Sequence, residues 1–319
     1  MKTILITGGC GYIGRELCKR LSAEGNGSIR IVACDIYELP IVDRLPHVEY
    51  ETADIRSPAF KAVVERVRPQ AVVHLASIVS AGGDPEFEYS VDVLGTKNVL
   101  DSCLAANVEQ IVVTSSGAAY GYHADSPDWL CETDPLRGNE DFAYSRHKRM
   151  VEELLAEYRE KHPQLKQLVF RPGSVIGENV TNQITAIFER PFILGIAGSD
   201  CSFVFIWDRD VVSCMVKGIL ERKEGIYNLA GDGAMPMREI AKVLGKPYVP
   251  LPAGLVGGAL GLVRSLGLGK LGPEHVKFLQ YRPVLDNSSL KNDFGISLQK
   301  TTREAFELFR QARFGGAKK

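Results

Sequence analysis

The sequence predicts an α/β fold, a doubly wound parallel sheet with a smaller, mostly C-terminal subdomain, and three observations predict it. Short, near-continuous apolar runs alternate with amphipathic stretches through the first half, the pattern of strands buried on both faces beneath helices. The first run leads straight into a glycine-rich turn, Thr7-Gly8-Gly9-Cys10-Gly11-Tyr12-Ile13-Gly14. After Gly173 the alternation loosens, and residues 175–202 show no clean period.

Taken in order, residues 3–7 read as a strand and 15–24 as a helix with Leu17 and Leu21 on one face. Residues 29–35 read as a second strand, 59–67 as a helix and 71–76 as a strand. A helix over 93–106 and a strand over 110–115 follow. Residues 145–161 form a long helix carrying Met150, Leu154, Leu155 and Tyr158, and 166–171 another strand. One more strand–helix–strand unit is expected over 203–229, then a helical stretch at 236–244, a Pro/Gly-rich apolar segment and a polar helix from Thr302. The expected division is a first domain over 1–174, completed by about 203–230, and a subdomain from 175–202 and 231–319.

Lys and Arg total 38 against 39 Asp and Glu, a formal net charge of −1, so no basic surplus points to nucleic-acid binding. The N-terminal apolar run is too short and too quickly broken for a signal peptide. The apolar tract at 249–263 is interrupted by proline and glycine and stops at Arg264, short of the roughly 20 residues that span a bilayer. A cytoplasmic protein with no membrane partner is expected. The 7 cysteines form no CxxC pair and stand beside no histidine cluster, so neither a disulfide framework nor a metal site is expected.

Gly8, Gly11 and Gly14 have the spacing of a turn that cradles a pyrophosphate. One glycine permits the tight turn, one admits the phosphates to the backbone, and one lets the next helix pack on the strand. The helix N-terminus then presents amides and its positive dipole end. Asp35 ends the second strand about 20 residues later, where a carboxylate accepts hydrogen bonds from ribose hydroxyls and repels a 2′-phosphate, favouring NAD over NADP. Tyr144 and Lys148 are four residues apart at the start of the long helix, and so share a face. The ammonium favours the phenolate, making Tyr144 a general base, and Lys148 is also placed to hold the nicotinamide ribose. Thr114-Ser115-Ser116-Gly117-Ala118-Ala119-Tyr120-Gly121 follows an apolar strand, at the sheet end where such folds bind ligands.

Together these residues resemble the extended short-chain dehydrogenase/reductase family, in its nucleotide-sugar epimerase and dehydratase branch, over nearly the whole chain. The resemblance implies a Rossmann-type fold with a substrate-binding subdomain, NAD as cofactor, and catalysis by Ser116, Tyr144 and Lys148, with Ser116 rather than Ser115 in the active role. It implies cofactor contacts from Gly8, Gly11, Tyr12, Ile13, Gly14, Asp35, Thr114, Tyr144 and Lys148. It adds the Asp54-Ile55 pair beside the adenine, the Leu75-Ala76-Ser77 loop, and Arg171-Pro172. Ser116, Tyr144 and Ser174 are the implied substrate contacts, with a sugar-type substrate. The implied reaction takes a hydride from a carbinol to NAD, then returns it (epimerase), uses the ketone to acidify a neighbouring C–H (dehydratase), or releases NADH (dehydrogenase). A homodimer paired through the helices at 93–106 and 145–161 is also implied.

Three positions depart from the branch. Ser174 stands where the nucleotide-sugar enzymes usually carry Asn, Asp92 replaces the usual Asn before the Gly-Thr pair, and Arg282-Pro283 fits a phosphate-contacting Arg only loosely. A net dehydrogenase of an unactivated sugar acid or other hydroxy compound therefore stands beside the epimerase/dehydratase reading. A non-catalytic NAD-sensing protein is the third reading, against which the intact Ser116, Tyr144 and Lys148 set speaks.

Overall fold

The computed structural model describes residues 2–25, 27–79, 83–269 and 271–315. Its strands are β1 (Lys2–Thr7), β2 (Ile29–Asp35), β3 (Val48–Thr52), β4 (Ala71–His74), β5 (Gln110–Thr114), β6 (Lys166–Pro172), β7 (Ser174–Ile176), β8 (Ile193–Ile196), β9 (Ser202–Phe203), β10 (Phe205–Trp207), β11 (Gly225–Leu229), β12 (Met235–Pro236) and β13 (Tyr248–Leu251). Its helices are α1 (Tyr12–Gly25), α2 (Pro58–Val67), α3 (Pro85–Tyr89), α4 (Thr96–Ala105), α5 (Ala143–Lys161), α6 (Gln183–Phe188), α7 (Asp208–Leu220), α8 (Met237–Leu244), α9 (Ala253–Ser265), α10 (His275–Gln280), α11 (Ser288–Asn292) and α12 (Thr302–Phe314).

Seven parallel strands form the central sheet in the order β11-β6-β5-β4-β1-β2-β3. Alternate residues of each strand feed opposite cores. Ile4, Ile6, Ile31, Val73 and Phe170 pack with Leu17, Leu21, Met215 and Ile219 of α1 and α7. Leu5, Val32, Val72, Ile111 and Val169 pack with Phe60, Val99, Leu100, Val151 and Leu155 of α2, α4 and α5. Burial on both faces explains why the sequence shows apolar runs rather than alternation. The strand order reverses between β1 and β4, which opens a crevice at their C-terminal ends, and the glycine turn leaves β1 there. A further core joins Phe188, Phe203, Phe205, Trp207, Ile240, Phe306 and Phe309 of the later segments. Three two-stranded ladders, β10-β7, β12-β9 and β13-β8, accompany it.

Several elements differ from the sequence reading. β3 was not anticipated, because its five residues VEYET are only half-buried and carry little apolar signal. The strand expected to 76 ends at His74, since the Leu75 amide turns to the Thr7 carbonyl at 3.2 Å and the Ala76 amide to Thr7 Oγ1 at 3.3 Å. The helix expected from 93 is preceded by a π-helical turn over Ser90–Gly95, and α4 begins at Thr96. The long helix begins at Ala143, which puts Tyr144 inside its first turn. No described helix is long and apolar enough to cross a membrane.

Candidate active site

The glycine turn is bare because it has no room for side chains. Gly8 sits at φ +66°, and a Cβ there would meet the Ala76 amide nitrogen at 2.8 Å. A Cβ at Gly14 would collide with the Gly8 carbonyl. The Gly11 amide closes the turn on the Gly8 carbonyl at 3.1 Å, and the Arg15 amide bonds Gly11 at 2.9 Å as α1 starts. The first turn of α1 holds no acidic residue, so its positive end is open to an anion. Asp35 lies beside this turn. Its Oδ2 accepts the Cys10 amide at 3.0 Å and its Oδ1 the Ile36 amide at 2.8 Å, fixing the carboxylate at the end of β2. Bare backbone, helix end and ribose-side acid together fit a dinucleotide. Tyr12 donates to Asp208, tying the start of α1 to the start of α7, and Ile13 packs on the α1 side of the core.

Arg56 binds the Asp54 carboxylate with Nη2 to Oδ2 at 2.6 Å and holds it below the ordinary carboxylate range. Ile55 is 4% exposed and packs against Gly95.

The loop after β4 carries a continuous network. Lys148 donates from Nζ to Ser77 Oγ at 2.8 Å, and Ser77 donates to Asp92 Oδ1 at 2.8 Å. The Ile78 amide reaches the same Oδ1 at 2.9 Å, which is what the π-helical turn achieves by turning Asp92 inward. Asp92 therefore anchors the loop rather than facing a diphosphate. Thr96 donates to the Asp92 carbonyl at 2.5 Å, so His74 Nε2 must donate to Thr96 Oγ1, 3.0 Å away. His74 Nδ1 then accepts from Thr7 Oγ1 at 2.8 Å. Burial, with Lys148 adding to it, pushes the His74 pKa down to about 3, which fixes the neutral ring.

Tyr144 and Lys148 share the inner face of α5, with Nζ 5.7 Å from the phenol ring centroid. Lys148 is buried, whereas Tyr144 remains partly open. Thr114 ends β5, and Ser116, also partly open, caps the turn over Gly117–Tyr120 by accepting the Ala118 amide at 3.1 Å. Ser115 is only 3% exposed, so of the two serines Ser116 has the accessible hydroxyl. Sequence reasoning missed Ser145. Its buried hydroxyl donates to the Ala118 carbonyl at 2.7 Å and accepts the Asn139 amide at 3.1 Å, pinning the start of α5 to the Ser116 segment. A hydroxyl directly after the helix-starting tyrosine was the only available signal. His147 turns elsewhere, buried with its ring 5.8 Å from Tyr89.

The Arg171 side chain is 3% exposed and paired with Glu152 of α5, Nε to Oε1 and Nη2 to Oε2 both at 2.7 Å. Nη1 bonds Tyr120 Oη at 2.8 Å and the Glu132 carbonyl at 3.0 Å. Burial alone would lower its pKa, but the Glu152 carboxylate holds it above the ordinary arginine value. Pro172 closes β6 opposite Leu229. Ser174, 5% exposed, accepts from Arg282 Nη2 at 3.0 Å.

The glycine turn offers a dinucleotide cradle, and a phenol beside an ammonium on α5, with a partly open hydroxyl after β5, are groups able to take and return a proton. An uncharacterized protein of Mycobacterium tuberculosis is 24% identical over 98% of this chain and 84% of its own length. The UDP-glucose 4-epimerase of Thermotoga maritima, solved with UDP-glucose, has a TM-score of 0.75 at 17% identity, over 99% of this chain and 100% of that one. The Thermus thermophilus UDP-glucose 4-epimerase in complex with NAD has a TM-score of 0.72 at 22% identity, over 97% and 99%. The model of the NAD dependent epimerase/dehydratase family matches residues 4–230, and the chain is a member of that family, with NAD as its cofactor.

Proposed function

We propose that the protein is an NAD-dependent oxidoreductase of the epimerase/dehydratase type, acting at a carbinol of a sugar or nucleotide-sugar substrate with Tyr144 as the base. The observation that carries this is the shared inner face of α5, where Lys148 is anchored on Ser77 and its ammonium lies against the Tyr144 ring. Bound NAD supplies the acceptor for the two electrons of the carbinol C–H bond. Tyr144 takes the hydroxyl proton as the C–O bond becomes a carbonyl, Ser116 donates to the same oxygen, and Lys148 holds the phenolate form. The glycine turn holds the pyrophosphate, Asp35 the adenosine ribose, and Lys148 the nicotinamide ribose. In this reading 1–174 with 203–230 carry the cofactor, and 175–202 with 231–319 shape the substrate side. The proposal extends to a cytoplasmic homodimer paired through α4 and α5.

Replacing Tyr144 by Phe is expected to lower kcat by about a hundred- to ten-thousand-fold while NAD affinity stays within a few-fold. Wild-type turnover in that variant would reject Tyr144 as base. Net dehydrogenation of an unactivated acid is kept as a second reading because Ser174 and Arg282 are paired, Nη2 to Oγ, at 3.0 Å.

A further inference from the structure

α9 is amphipathic the wrong way round. Toward the protein it turns Val256, the one residue of the helix that is buried, the half-buried Leu260, and two glycines. A Cβ at Gly257 or Gly261 would meet Pro273 at 3.7 or 3.4 Å. Toward solvent it turns Leu255, Ala259 and Leu262, spaced three and four apart and so on one face, and the stripe runs on into Leu266 past the helix end. Leu255, Leu262 and Leu266 are 59%, 61% and 62% exposed, and Leu268 beyond them is 77% exposed. A Cβ at Gly254 or Gly258 would meet nothing within 4 Å, so this face is open along its length. Leucines standing singly in water are ordinary, but a continuous exposed row of them marks a surface that something covers.

Charge selects what covers it. The chain holds 39 Asp and Glu, yet residues 240–273 contain none, while they carry Lys242, Lys246, Arg264 and Lys270. Arg264 stands off the stripe, its side chain 50% exposed, with Glu274 at 2.7 Å. Residues 247–263 carry no charged side chain at all. A second copy of this face would set cations against cations with no acid to balance them. A protein partner would find no polar rim on the stripe to fix its register. An anionic lipid surface needs neither, because its acyl boundary takes leucines in any register and its headgroups take the cations.

We propose that α9, with Leu266, Leu268 and Leu271 beyond it, docks this protein on an anionic lipid surface, the leucine stripe lying at the boundary between headgroups and acyl chains. The helix has 13 residues, too few to span a bilayer, so it lies in the interface. The expectation of no membrane partner rested on spanning length, which an interfacial helix does not need. The docked face is one helix away from the reacting group. α9 packs on α10 through Val256, Val276 and Leu279, and Phe278 of α10 packs in the cluster that holds Tyr144. Docking itself does not depend on Tyr144 being the base.

The test is cosedimentation of the NAD-loaded full-length protein with vesicles of phosphatidylcholine alone and of phosphatidylcholine mixed with phosphatidylglycerol. Binding is expected to be about 10-fold or more tighter to the mixed vesicles. It should be lost when Leu255→Ser, Leu262→Ser and Leu266→Ser are combined. Those side chains are exposed, so the variant should keep the Tm of wild type and its shift with NAD. Leu262→Trp should add an emission that moves to the blue on mixed vesicles. No binding of wild type to either vesicle, equal binding to both, or binding that the serine variant retains overturns the proposal. Self-association that the serine variant loses, with no vesicle binding, gives the face to a second copy and overturns it too. Should the serine variant not fold, the Leu262→Trp emission decides, and an unmoved spectrum on mixed vesicles overturns docking. Tyr144→Phe should bind vesicles as wild type does, so failure of the base and failure of docking are read separately.

Discussion

At the scale of single residues, His74 is neutral by construction. Its two ring nitrogens are bonded to Thr7 and Thr96, and burial pushes its pKa down to about 3. An unfolded histidine titrates near 6.5, so between these values the unfolded chain binds the extra proton. The sign follows: stability is complete above pH 6.5 and is lost as pH falls, by about 3 kcal/mol at pH 4.5. His74→Gln should be less stable at neutral pH yet show a flatter dependence on acid, as read from urea midpoints across that range. Parallel slopes in the two proteins would reject His74 as the source. The site residues were unequally legible at this scale. Gly8, Gly14, Tyr144 and Lys148 have a spacing that chemistry dictates, and the sequence displays it. Ser145, Asn139 and the burial of Arg171 depend on contacts between segments far apart in the chain, which spacing does not encode.

At the scale of elements, the pairing of Arg171 with Glu152 joins β6 to α5 in the interior, with side chains 4% and 3% exposed. Removing one partner leaves the other charged and buried, so Glu152→Ala should cost about 3–5 kcal/mol in a denaturant melt. Replacing both by apolar residues of similar size should cost much less, and a double variant as unstable as the single one would count against the pair as the cause. Ser145→Ala unties the start of α5 from the Ala118 carbonyl. It should lose about 1–3 kcal/mol and lower kcat more than it raises KM, since the phenol is displaced from Ser116. The π-helical turn over Ser90–Gly95 was invisible in the sequence because it accompanies hydrogen bonds of Asp92 to the distant loop after β4. The helical period at 93–106 was read correctly in kind and not in its first turn.

At the scale of the whole molecule, the parallel sheet was legible because seven strands buried on both faces must be apolar throughout. The later ladders were not, because strands as short as Ser202–Phe203 and Met235–Pro236 are set by the core around Phe188 and Phe306 rather than by local pattern. NAD at a hundredfold over its Kd should stabilise the folded protein by about 2.7 kcal/mol. For a chain this long that corresponds to about 4 °C in Tm. NADP should give a smaller shift if Asp35, fixed at the end of β2, receives the ribose as proposed. Asp35→Ala should narrow the gap between the two, and an unchanged gap would place the selectivity elsewhere.

Thr302, at the start of α12, accepts the Phe205 amide at 3.2 Å and donates to the Gly231 carbonyl at 2.9 Å, while Phe306 and Phe309 fill the core around Phe188. The wall that carries Phe203 is thus completed by residues near the end of the chain. During translation the nucleotide cradle is built once β4 has emerged beside β1, but the opposite wall waits for α12 to leave the ribosomal tunnel. A chain cut before Thr302 is therefore expected to retain NAD on an affinity resin and to catalyse nothing.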